Sequence, residues 1–172
     1  MELDEISKEA LRLEEDTLHT EIQHHIAAKY WQRCHYALGL IATIAEVLAT
    51  SAAIDTKTAG TGDVRWIAPT VVTVLAAVIA FLRPDGKADM HHDKGVRYND
   101  LRRRIRMFVR IELPASSREK WPALVAKVEA LGSEKTSLNR EKPTAPSGVI
   151  YLLAKREIER GHTEHEVDRF TS

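Results

Sequence analysis

The sequence predicts an all-α membrane protein, a two-span transmembrane helical hairpin with cytoplasmic helices before and after it. Three observations carry this. Two long apolar runs, Cys34 to Ile54 and Trp66 to Leu82, stand in an otherwise polar chain. Only a short polar stretch containing glycine, 55–65, separates them. The rest is charged and rich in helix formers, with Gly and Pro confined to a few breakpoints.

The first run has one charged residue, Glu46, and the second has none. At about 1.5 Å per residue they would reach roughly 31 Å and roughly 25 Å, against a hydrocarbon core of about 30 Å. A helix buried in a bundle would show a polar face every few residues. The run from Trp66 to Leu82 offers only Thr70 and Thr73, whose hydroxyls can bond back to their own helix. Arg65 and Arg83 flank it and could reach the two interfaces.

Orientation follows from the basic residues. Lys29 and Arg33 precede the first run, and Arg83, Lys87, Lys94, Arg97 and Arg102 follow the second. The connecting stretch balances Lys57 and Arg65 with Asp55 and Asp63. Both termini are therefore expected in the cytoplasm, as in a multi-pass protein of a bacterial inner membrane, with lipid as its first partner. No signal peptide is expected, because an acidic segment precedes the first apolar run.

The 172 residues carry 25 basic and 25 acidic side chains, a formal balance that gives no global field for nucleic acid. The single cysteine, Cys34, rules out an internal disulfide. One domain is expected over 1–172: an N-terminal helix 1–33, spans 34–54 and 66–82, an outer loop 55–65, cytoplasmic helices 83–161 and a polar tail 162–172.

Residues 1–33 lack Gly and Pro, and Leu3, Ile6, Ala10 and Leu13 form a stripe continued less regularly by Leu18, Ile22 and Ile26. This segment is acidic. A basic helix is expected over 85–113, with Tyr98, Leu101, Ile105 and Phe108 at helical spacing and Pro114 ending it. The two should pack together, their opposite charges fixing orientation more than adding stability. Ser116 to Glu119 has the capping-box pattern, opening a helix with Leu124, Val125, Val128 and Leu131 that could weaken at Gly132. Residues 142–146 read as an extended linker. Ser147 then caps a last helix with Val149, Ile150, Leu153 and Ile158.

Glu46 is the sharpest candidate for chemistry, since a carboxylate at mid-span needs water or a partner. Gly39, Thr43, Glu46 and Thr50 share one helix face, and in a symmetric oligomer they would make a cation-conducting lining. The alternative is a neutral Glu46 bonding a neighbouring helix through Thr70 or Thr73. Small residues at four-residue spacing, Ala45, Ala49 and Ala53 on the first span and Ala76, Ala77 and Ala80 on the second, would let helices approach closely.

Arg97, Arg102 and Arg106 are the residues that could take a phosphorylated ligand, although a basic face pairing with the acidic first helix explains them equally simply. The histidine pairs 24–25, 91–92 and His162/His165 match no metal motif, so no metal and no cofactor are expected. Without a phosphate loop or a nucleophile elbow, the chain is not expected to be an enzyme.

Just past the hairpin the chain reads His92-Asp-Lys-Gly95-Val-Arg-Tyr98-Asn-Asp-Leu101-Arg. Ala145-Pro146, then Tyr151-Leu-Leu-Ala154-Lys155, Ile158 and Gly161 follow. In this order the chain resembles the SLATT domain, a two-transmembrane-helix effector domain of bacterial conflict systems, over nearly its whole length. The resemblance implies an oligomeric membrane effector that forms a pore or damages the inner membrane in anti-phage defence. It also implies a trigger, either a nucleotide second messenger or a partner such as a nucleotidyltransferase. The chain has no room for a fused sensor, so that partner would be separate. The rival reading is a membrane-anchored scaffold or adaptor whose hairpin is only a tether.

Overall fold

The computed structural model describes residues 3–54, 62–116, 120–143, 146 and 148–160. Its elements are α1 (Leu3–Ile54), α2 (Gly62–Leu82), α3 (Pro84–Met107), a π-helical turn (Phe108–Glu112), α4 (Trp121–Arg140) and α5 (Val149–Glu159). They form two compact units, a bundle unit of Met1–Ala27 with Met90–Ser172 and a hairpin unit of Ala28–Asp89.

The helical half of the expectation holds and the membrane half does not. Among the described residues, no helix is long and apolar enough to cross a membrane. In the first run, His35, Thr43, Glu46, Thr50 and Ser51 dilute the apolar residues. The second helix opens with Gly62, Asp63 and Arg65, and carries Pro69 within it. Its purely apolar part is shorter than the roughly 20 residues a spanning helix needs. The inner-membrane location, the two-sided topology, the lipid partner and the pore all rested on these spans and fall with them. The expected outer loop lies mostly, and the tail wholly, outside the described residues.

The bundle unit is built on stripes. On α1, Ile6, Ala10, Thr17, Glu21, His24 and Ala27 are buried, with Leu13 packed at the core's edge. The spacing of three and four is that of one helix face. The expected stripe is right through Leu13 and then drifts. Leu18, Ile22 and Ile26 are only half-buried, because the face continues through polar Thr17, Glu21 and His24. Thr17 satisfies its own hydroxyl by donating to the Leu13 carbonyl at 2.6 Å.

On α3, Tyr98, Leu101, Ile105 and Phe108 are fully buried, as their spacing predicts. The α-helix ends at Met107 rather than at Leu113. In the π-turn that follows, the Leu113 amide donates to the Phe108 carbonyl at 2.9 Å. Leu113 thereby stays in the core. Helix α4 runs unbroken through Gly132, burying Leu124, Leu131 and Leu138. The cap expected from Ser116 to Glu119 falls mainly on 117–119, outside the described residues; Ser116 Oγ donates to the Glu112 carbonyl at 2.5 Å. Helix α5 buries Ala154 and leaves Leu153 exposed, a one-residue rotation from expectation.

Opposite charges join the acidic and basic helices as expected. Arg106 Nε lies 3.1 Å from Glu14, and Arg102 Nε lies 3.0 Å from Glu21. The second pair is buried on both sides. Asn99 donates to the other Glu21 oxygen at 2.9 Å.

Within the hairpin unit, seven residues join the end of α1 to the start of α2. Arg83 sits at φ 45° and separates α2 from α3. That left-handed conformation is rare without glycine. Pro84 then opens α3, where its missing N–H costs nothing.

Candidate functional site

Two features stand out, one in each unit. The first is a polar interior at the α1–α3 contact. Nδ1 of His24 and Nδ1 of His91 are 2.9 Å apart, so the two imidazoles share one proton. Nε2 of His24 is buried without a hydrogen-bond partner. An orphaned N–H is rarer than an orphaned lone pair in protein interiors. The proton is therefore assigned to Nδ1 of His24, with His91 Nδ1 accepting.

The Tyr98 ring stacks on His24 with centroids 5.6 Å apart, and its hydroxyl donates to Asn139 Oδ1 at 2.6 Å. Lys94, also buried, donates to the carbonyls of Glu141 and Pro143, which follow the end of α4.

These surroundings favour the uncharged forms. Burial, then the neighbouring His91, Lys94 and His25, lowers His24 to about 3. Burial and Lys94 lower His91 as well. Burial also lowers Lys94, partly offset by Glu141, and raises Tyr98 to about 12. With His24 wholly inside, the pair has no open face for a substrate; it joins α1 to α3. Next to it, a Cβ on Gly95 would lie 2.8 Å from Cε1 of His25. Only a glycine lets the two helices come this close without displacing that ring.

Sequence patterning missed this cluster because it weighs polar residues as surface. The available signal was the register itself: extending the Ile6–Ala10 and Tyr98–Leu101 faces by three and four lands on His24, Lys94 and His91.

The candidate ligand arginines are all engaged. Arg97 is bidentate to Glu141, with one contact at 3.0 Å, while Arg102 and Arg106 face Glu21 and Glu14. The Glu141 hydrogen bond raises Arg97, and the same bond lowers Glu141. A shallow groove at Arg97, Arg104, Glu134 and Glu141 is thus lined by neutralised pairs. Among the described residues, no group of three or more His, Cys, Asp or Glu is placed to hold a metal.

The second feature is the surface of the hairpin unit. Thr43, Glu46 and Thr50 are exposed and Gly39 is half-buried, so the expected polar stripe exists on one face of α1. Thr43 and Thr50 donate to the carbonyls of Gly39 and Glu46, each at 2.9 Å. Thr73, one expected partner of Glu46, donates to the Pro69 carbonyl at 2.9 Å instead.

Of the small residues, Ala45 is half-buried, while Ala76, Ala77 and Ala80 are exposed; the side chains of Ala49 and Ala53 lie outside the described residues. Large apolar side chains are exposed as well: Leu40, Ile41, Ile44, Val47 and Leu48 on α1, and Ile67, Val71, Val74 and Phe81 on α2.

No family model matches the sequence, and neither curated proteins nor solved structures give a match. The likeness to SLATT domains stands on the residues quoted for it alone.

Proposed function

We propose that this chain acts by association rather than by catalysis, as an effector or adaptor whose hairpin unit is its assembly element. The observation that carries this is the row of exposed apolar side chains on α1 and α2. Scattered apolar residues on a surface are ordinary, but a contiguous patch of this kind marks an interaction site. Leu40, Ile44, Val47 and Phe81 are each more than half exposed in a chain whose other unit buries its large apolar residues well.

The role that the SLATT resemblance implies fits an assembling chain: a response, set off by a nucleotide second messenger or a separate sensor, in bacterial defence. Its pore-forming part is not carried over. Arg97, Arg102 and Arg106 would take a phosphorylated messenger only by giving up their carboxylate partners, which disfavours direct docking there.

The reading is tested by native sizing of the protein in extracts of cells that produce it. The wild-type chain is expected well above monomer size, and a Leu40→Gln/Ile44→Gln/Leu48→Gln variant at monomer size with unchanged helicity. A wild-type chain running as a monomer would count against it.

A further inference from the structure

Resting on that association reading, we infer that the occupant of the hairpin's apolar face is a second copy of this chain, packed about a two-fold axis as a four-helix seam.

The pattern comes first. On α2, Ile67, Val71, Val74, Val78 and Phe81 recur at four, three, four and three. Four of these are exposed and Val78 is half-buried. On α1, Leu40, Ile44 and Val47 follow four and three, flanked by Ile41 and Leu48. This is the heptad spacing with which helices pack knobs into holes along a partner helix. A helix whose apolar stripe met only solvent would not need that register.

The two stripes also lie on one side of the hairpin. Half-buried residues recur at 38, 42 and 45 on α1 and at 72, 75, 79 and 82 on α2, marking the faces the two helices turn inward. At about 100° per residue, each exposed apolar stripe lies roughly 120–130° from its inward face, displaced in the same rotational sense. Two helices running in opposite directions turn that shared sense into a single apolar surface. The same geometry puts Thr43, Glu46 and Thr50 on the opposite surface, beside Thr73, Ala76 and Ala80.

Charge and area then choose the occupant. An isologous interface must be complementary to itself. The apolar face carries no ionisable side chain among its named residues, so two copies can meet without like charges in opposition. The opposite surface, with Glu46, does not have that property. From the fractional exposures of the nine large residues, the apolar face offers roughly 900 Å², close to the roughly 800 Å² per partner of a stable interface. A second copy supplies a partner of matching length, register and composition.

The test is sedimentation of the purified full chain over a wide range of concentration. The wild type is expected to dimerise. Val74→Glu and Ile44→Glu should each weaken the dimer by at least about tenfold, while Ala76→Glu, on the opposite surface, should leave it unchanged. Equal far-ultraviolet circular dichroism confirms that all variants are folded. Equal weakening by all three variants would overturn the assignment to this face.

A wild type that stays monomeric would overturn the second copy as occupant, and two further arms then locate the fault. Stripe-dependent flotation with phosphatidylglycerol/phosphatidylcholine vesicles, or an assembly seen only in extracts, leaves the association reading standing with another occupant. A monomer in extracts as well as in purified form defeats both.

Discussion

The two units use the same helical registers to opposite ends. In the bundle, positions three and four apart hold Thr17, Glu21, His24 and Lys94, and all are inside. In the hairpin, positions three and four apart hold Leu40, Ile44, Val47 and Val74, and all are outside. Polarity and burial are therefore partly uncoupled. The bundle tolerates polar interior groups because most have partners: carbonyls for Lys94, Asn139 for Tyr98, and a second imidazole for His24. The hairpin exposes apolar groups because its partner is not within the chain. Periodicity tells which residues share a face; it does not tell what that face meets.

The contrast is broken most sharply by truncation. Phe108→Ala, in the bundle core, is expected to cost about 3–5 kcal/mol in denaturant unfolding. Ile44→Ala should cost less than about 1 kcal/mol in dilute solution, where its face is exposed. If the second copy is the occupant, the Ile44→Ala cost grows with protein concentration while the Phe108→Ala cost does not. Equal costs in dilute solution would mean that the hairpin face is already covered within one chain.

Acid should separate the units next. His24 titrates near 3 in the folded chain against an ordinary value of 6.5. The folded chain therefore binds fewer protons than the unfolded one between those values, and stability falls as pH falls. The contribution is complete above about pH 6.5, drops by about 2 kcal/mol by pH 5, and is exhausted near pH 3. Lowered His91 adds in the same direction. Denaturant titrations at pH 7.5 and pH 5 measure it, and His24→Asn should flatten the slope. A wild-type slope that survives His24→Asn undiminished would assign the acid sensitivity to other groups.

The smallest effects concern two glycines within the bundle. Gly95→Leu would force its side chain into the His25 ring and should destabilise by about 1–3 kcal/mol. Gly132, whose Cβ would meet nothing within 4 Å, should gain roughly 0.5–1 kcal/mol as alanine in mid-helix. Thermal melts of the two variants moving in opposite directions would confirm that Gly95 marks a contact and Gly132 open surface.

How far the fold was legible follows the same line. Tyr98, Leu101, Ile105 and Phe108 announce the core because aromatic and branched residues at helical spacing have few other uses. The pairing of the acidic and basic helices was equally readable from composition. Thr17, Glu21 and His24 were not, because a polar residue reads as surface unless its neighbours' register is extended through it. The hairpin misled for the converse reason: apolar residues that meet a partner helix and those that meet lipid follow the same preferences. Length and interruption by Glu46, Ser51 and Pro69 separate them, and these are small differences in a sequence. Of the proposed site residues, the stripe from Gly39 to Thr50 was correctly placed on one face, while the arginines proved to be ion-paired.

The π-turn at Phe108–Glu112 has a consequence for how this chain can change length. A π-turn spends five residues where an α-turn spends four, which is why Leu113, five positions after Phe108, still points inward. Removing one residue from the turn would convert it to regular α-helix without rotating Leu113 or the segment leading to α4 out of register. Elsewhere in α3 the same deletion would swing every following side chain by about 100°. The turn is thus the one described position in this helix where an insertion or deletion of a single residue is structurally silent.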